Sequence, residues 1–120
     1  MKKILIIDND AGATNLIEVA LRKEGYQVIS LNDSVQFLDV IVSERPDLIL
    51  LDHKLPGLDG LSILKALGAD RELSSIPVIF FTALGDIKTK TAAFEAGVKD
   101  YITRPVHPKE LIFRVKNLIG

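Results

Sequence analysis

The chain has 120 residues, 48% of them hydrophobic and 26% charged, which is enough to bury one sizeable core without metals or disulfides and too little for two. The lack of cysteine excludes a disulfide scaffold and thiolate chemistry, and a net charge of -1 lacks the basic excess that a phosphate backbone attracts, so direct nucleic-acid contact is not expected. No apolar stretch approaches a membrane span, and Asp8 and Asp10 interrupt any secretory apolar region, which makes a cytoplasmic protein without membrane association the expectation.

The apolar run 4–7 reads as a first strand. Behind it, Leu16, Val19, Ala20 and Lys23 carry helical period, and Gly25 falls where that helix should end. A second strand is predicted at 28–31. Asp33 with Gln36 three residues later resembles a capping box, opening a helix with Val35, Leu38, Ile41 and Val42 as its stripe. The third run, 48–51, is apolar throughout, as a strand covered on both faces would be, and stops at Asp52 before the turn-rich HKLPGLDG. Asp59 is placed to cap a third helix. Residues 73–77 read as a loop into a fourth strand at 78–81, with Asp86 and Gly97 bounding the helix that follows. A fifth strand at 101–102 precedes a last helix with Pro108 at its first position. Leu111, Val115 and Leu118 form its core stripe, leaving Phe113 out of phase and partly exposed.

This alternation of strand and helix implies an α/β fold with a parallel sheet, right-handed crossovers and helices on both faces. Residues 1–120 are expected to form one domain, and because the last helix runs to the final residues, any output domain is expected beyond them. Parallel strands share one rim at their C-terminal ends, where open α/β folds bind ligands. There stand Asp8-Asn9-Asp10, then Asp52, then Thr82-Ala83, then Thr103-Arg104-Pro105. Carboxyl-type side chains, a hydroxyl and a cation around one crevice are the composition of a magnesium and phosphoryl site. Magnesium takes hard oxygens, an aspartate can accept a phosphoryl group as an acyl phosphate, and hydroxyl and basic donors neutralise the phosphoryl oxygens.

IIDND, LLDHKLPGLDG, FFTA and YITRP occur in this order at the ends of four strands, and over essentially its whole length the chain resembles the receiver domain of bacterial two-component response regulators, of the chemotaxis-regulator-like kind. The resemblance implies a doubly wound (βα)5 three-layer sandwich with five parallel strands in the order 2-1-3-4-5. It implies a phosphoryl acceptor rather than an enzyme, with Asp52 phosphorylated by a sensor histidine kinase or phosphotransfer protein and with magnesium as cofactor. By position, Asp8, Asn9, Asp52 and the main-chain carbonyl of Lys54 would hold the metal, while Thr82 and Arg104 would bind the phosphoryl group. Tyr101, with Thr82, would act as the switch residue, and the Arg104–Pro105 peptide bond would be cis. The change would reach the face of the fourth helix, fifth strand and fifth helix, which would meet a downstream protein or output domain and admits a homodimer.

Two positions depart from the family pattern. Asn9 stands where a second, metal-binding aspartate is usual, and Arg104 stands in place of lysine. A neutral amide oxygen still ligates but should weaken magnesium by about 1–3 kcal/mol, and a planar guanidinium pairs with phosphate differently from an ammonium. A second reading is therefore a degenerate receiver that binds partners without phosphorylation. A third, from Asp8-Asn9-Asp10 as the D-x-D of haloacid-dehalogenase-type phosphatases, meets Gly12 where that family has a hydroxyl or valine. His53 and His107 lack a second histidine at ligand spacing and read as loop and helix-start residues.

Overall fold

A computed structural model of the chain describes residues 1–8, 11–32, 36–53, 55 and 59–120, with residues 11–14 described by their backbone only. The elements alternate as β1 (Lys3–Ile7), α1 (Ala11–Lys23), β2 (Gln27–Leu31), α2 (Phe37–Glu44), β3 (Leu48–Leu51), α3 (Gly60–Ala69), β4 (Val78–Thr82), α4 (Ile87–Glu95), β5 (Asp100–Thr103) and α5 (Pro108–Ile119). The strands form one five-stranded sheet in the order β2-β1-β3-β4-β5, and every pairing is parallel. The fold is thus the doubly wound one the sequence implied.

The pleat sorts the strand residues between two cores. Leu5, Ile7, Ile49, Leu51, Val78, Phe80 and Tyr101 pack with Phe37, Ile41, Ile63, Leu64, Leu67 and Ala93 of α2, α3 and α4. Their neighbours Ile4, Ile6, Leu48, Leu50, Ile79, Phe81 and Ile102 pack with Ile17 and Leu21 of α1 and Leu111 and Val115 of α5. Both faces of β1, β3 and β4 are therefore buried, which is why these strands are apolar at successive positions instead of alternating.

Ile41 of α2 and Leu111 and Val115 of α5 are buried as expected, but the rest of the helical stripes come out in a different phase from the sequence expectation. In α1 the buried residues are Ile17 and Leu21, while Leu16 is 75% and Val19 48% exposed, Ala20 is half-buried and Lys23 exposed. In α2, Phe37 and Ile41 are buried and Leu38 and Val42 face solvent. Leu118 is likewise exposed and Ile119 packs instead. Apolar residues on adjacent stripes satisfy the same period, so composition could not choose between them; the direction of the sheet did.

The ends are closer to expectation. Asp59 accepts from the Ser62 N–H at 2.8 Å, Asp86 from the Thr89 N–H at 3.0 Å, and Pro108 opens α5. Gly25 and Gly97, at φ 93° and 104°, end α1 and α4 in a conformation that other residues adopt at a cost. Gln36 occupies the N-cap of α2 without a side-chain bond, while Asp33 and Val35, the other residues of the expected capping box and stripe, lie outside the described residues. Within the expected loop 73–77, Leu73–Ser75 make one 3-10 turn. No helix among the described residues is long and apolar enough to cross a membrane.

Candidate functional site

The rim of β1, β3, β4 and β5 brings several predicted residues together, and the ladder fixes where. Asp8 donates its backbone N–H to the Leu31 carbonyl at 3.0 Å, and Asp52 donates its own to Ile7 at 3.0 Å. Each bond carries the parallel pairing one step past the strand end, so both carboxylates leave the sheet at the same level. Asp8 is buried, at 2% exposure, and Asp52 is partly so.

Arg104 closes the arrangement from β5. Its N–H bonds to the Thr82 carbonyl at 2.9 Å, which sets the start of its side chain. Nε and Nη2 then donate to the Phe81 carbonyl at 3.0 and 2.8 Å, and the guanidinium lies 4.5 Å from the Phe81 ring centroid. Nη2 also pairs with Asp8 and stands 3.4 Å from Asp52 Oδ2. One nitrogen thus faces both carboxylates, a single positive charge shared between two acids in a crevice where water screens little. The Arg104–Pro105 bond is cis, as the resemblance implied.

Thr82 ends β4 almost fully buried, at 1% exposure, and its Oγ1 accepts the Leu84 N–H at 3.3 Å. The Leu84 carbonyl in turn accepts the Tyr101 hydroxyl, so a short segment links the two predicted switch residues. The Tyr101 ring leans on Phe80 and Phe94, at centroid distances of 5.8 and 6.4 Å, with Lys90 Nζ 5.7 Å over its centroid. Burial pushes the Tyr101 phenol above its ordinary value, and the charges of Asp86 and Asp52 push the same way.

The histidines stay outside this chemistry. His53 stacks on Phe80 at 6.0 Å, and its buried Nδ1 has no hydrogen-bond partner among the described residues. His107 caps α5, its Nδ1 accepting the Lys109 N–H at 3.1 Å.

Asn9, Lys54 and Asp10 lie outside the described residues. Among those described, no three carboxylates or histidines gather around one point. The donor chemistry nevertheless suits a hard cation, because Asp8 and Asp52 already converge on a single positive nitrogen.

Two residues that position the site escaped the sequence reading. Gly60 donates its N–H to the His53 carbonyl at 2.6 Å, and a Cβ there would run into the Asp52 carbonyl and lie 2.9 Å from the His53 Cα. The start of α3 thus presses on the backbone beside Asp52, which only glycine allows; a glycine directly after the expected cap Asp59 was the available signal. Phe81, read as a core strand residue, turns out to anchor Arg104 through both its carbonyl and its ring.

With five parallel strands wound on both faces and carboxylates, a threonine and a cation at the strand ends, the chain is a doubly wound α/β domain with a polar rim. The family model of the response regulator receiver domain matches residues 4–116, and the chain belongs to that family. It is 41% identical over 118 residues to the phosphate regulon transcriptional regulatory protein PhoB of Pseudomonas aeruginosa, covering 98% of this chain and 52% of that protein. To the DNA-binding dual master transcriptional regulator RpaA of Synechocystis it is 38% identical over 119 residues, covering 99% and 49%. The chain spans about half the length of these curated relatives. A crystal structure from Chloroflexus aurantiacus J-10-fl, solved as a response regulator, superposes with a TM-score of 0.92 at 37% identity, over 98% of this chain and 96% of that one. Receiver domains of two-component systems are phosphoryl acceptors rather than enzymes in the ordinary sense, and generally bind Mg2+ at the phosphorylation site.

Proposed function

We propose that residues 1–120 are a single receiver domain that accepts a phosphoryl group on Asp52 from a histidine kinase or phosphotransfer protein, and relays that change to a partner through α4, β5 and α5. The observation that carries this is the convergence of Asp8 and Asp52 on Arg104 at the rim, with the buried Thr82 at the end of the neighbouring strand. An Asp52 carboxylate oxygen would attack phosphorus while the donor's imidazole or acetate departs, leaving an acyl phosphate. Thr82 and Arg104 would then donate to the phosphoryl oxygens, and Tyr101 with Thr82 would report the change. Mg2+, when bound, would neutralise charge on those oxygens, held by Asp8, Asp52, Asn9 and the Lys54 carbonyl. The named relatives regulate transcription, so an output domain attached to or bound by this one is the partner we favour, in a cytoplasmic setting, with a homodimer through the same face as its arrangement.

Acetyl phosphate with Mg2+, followed by intact mass, tests the acceptor. One phosphoryl adduct that disappears in Asp52→Asn is expected. A second reading, a module that binds partners without phosphorylation, is favoured by Arg104 already pairing with Asp8 and facing Asp52; a folded protein that takes no adduct at any magnesium concentration would establish it in place of the first.

A further inference from the structure

Arg104 is held on the acidic crevice by more than charge. Its fork donates from Nε and Nη2 to the Phe81 carbonyl and rests against the Phe81 ring, while Nη2 faces Asp8 and Asp52 together. An ammonium, a point donor on a flexible stem, could not make the two-nitrogen contact and reach the carboxylates from the same plane. The side chains are largely sheltered, at 18%, 3% and 13% exposure for Arg104, Asp8 and Asp52, and salt therefore screens the cluster weakly.

A divalent cation approaching the same oxygens meets a like charge already seated on them. Resting on the reading of Asp8 and Asp52 as metal-holding carboxylates, we propose that Arg104 is a tethered counter-ion that competes with Mg2+ for them. Metal entry then requires the guanidinium to give up its carboxylate contacts. The competition acts in addition to the neutral amide of Asn9, and it makes Arg104 a determinant of how much Mg2+ the resting domain carries.

Calorimetric titration of the full chain with MgCl2 alone, in wild type, Arg104→Gln and Arg104→Lys, tests this. Glutamine removes the charge yet keeps an amide donor for the Phe81 carbonyl; lysine keeps the charge but loses the two-nitrogen tether. Competition predicts about tenfold or more tighter binding in Arg104→Gln, a smaller gain in Arg104→Lys, and a larger Mg2+-induced rise in melting temperature for Arg104→Gln than for wild type. Equal or weaker binding by folded Arg104→Gln overturns the proposal, and should that variant not fold, absence of any gain in Arg104→Lys does so. Asn9→Asp, titrated alongside, separates the two ideas. If it binds Mg2+ while the Arg104 variants gain nothing, competition fails and the metal reading stands; if no form binds, both fail.

Discussion

Adjacent residues of β4 serve opposite faces of the sheet, and α5 on one face and α4 on the other are seated very differently. On one, Phe81 backs Arg104 within a core that takes Leu111 and Val115 of α5 at 1% and 0% exposure. On the other, Phe80 meets Tyr101, but of the residues of α4, all described, Ala93 is the buried one, and Ile87 and Phe94 are 78% and 50% exposed. The cation of the site is thus anchored in the core that holds α5, while the tyrosine leads to the lightly seated α4. Elements that bury few apolar contacts move at least cost, so a change at the rim is expected to shift α4 before α5.

The largest effect that could break this contrast is in the cores. Leu111→Ala in α5 should cost about 2–5 kcal/mol, against less than about 1 kcal/mol for Phe94→Ala in α4; urea unfolding of both variants reads the difference, and comparable losses would contradict the contrast.

Gly60→Ala comes next. The new Cβ presses on the Asp52 and His53 backbone, an overpacking worth about 1–3 kcal/mol, and the displaced Asp52 should accept phosphoryl from acetyl phosphate more slowly. Unchanged labelling and stability would show that α3 does not fix the acceptor.

Helix caps sharpen the comparison further. Asp59→Ala should cost about 1 kcal/mol. Both cap carboxyls lie below their ordinary value of 3.8, Asp59 mainly through the Ser62 N–H and Asp86 mainly through the Thr89 side chain. A lowered folded value means stability that is present above the unfolded value and lost as pH falls through the folded one. Acidification below about pH 4 should therefore loosen the starts of α3 and α4 first, seen as faster amide exchange there than in the middle of α5.

The smallest effect concerns Tyr101. Its raised value means stability fully present below the unfolded value of 10.0 and lost as pH rises through the folded value. Tyr101→Phe should cost about 1 kcal/mol at neutral pH and flatten this alkaline loss; a variant with the same alkaline slope as wild type would remove Tyr101 from the account.

Much of this was legible along the chain. The runs ILII, LILL and VIFF mark strands buried on both faces, Asp59, Asp86 and Pro108 mark helix starts, and parallel topology alone requires Asp8, Asp52, Thr82 and Arg104 to share one rim. The capping box at Asp33 was less legible, because Gln36 can serve as an N-cap or as a third helical residue and local sequence does not choose.

By itself, then, the sequence determined what depends on local pattern and on strand direction: the order of the elements, the doubly wound class and the set of polar residues at the strand ends. Only the tertiary structure decided which apolar stripe of α1 and α2 is buried, because Leu16 and Ile17 fit the helical period equally until a sheet stands beside them. It likewise decided what Arg104 touches. The partners of a long side chain are set by residues distant along the chain, Asp8 being 96 positions away, and no local spacing encodes that a carbonyl and a ring of Phe81 would hold its guanidinium over two carboxylates.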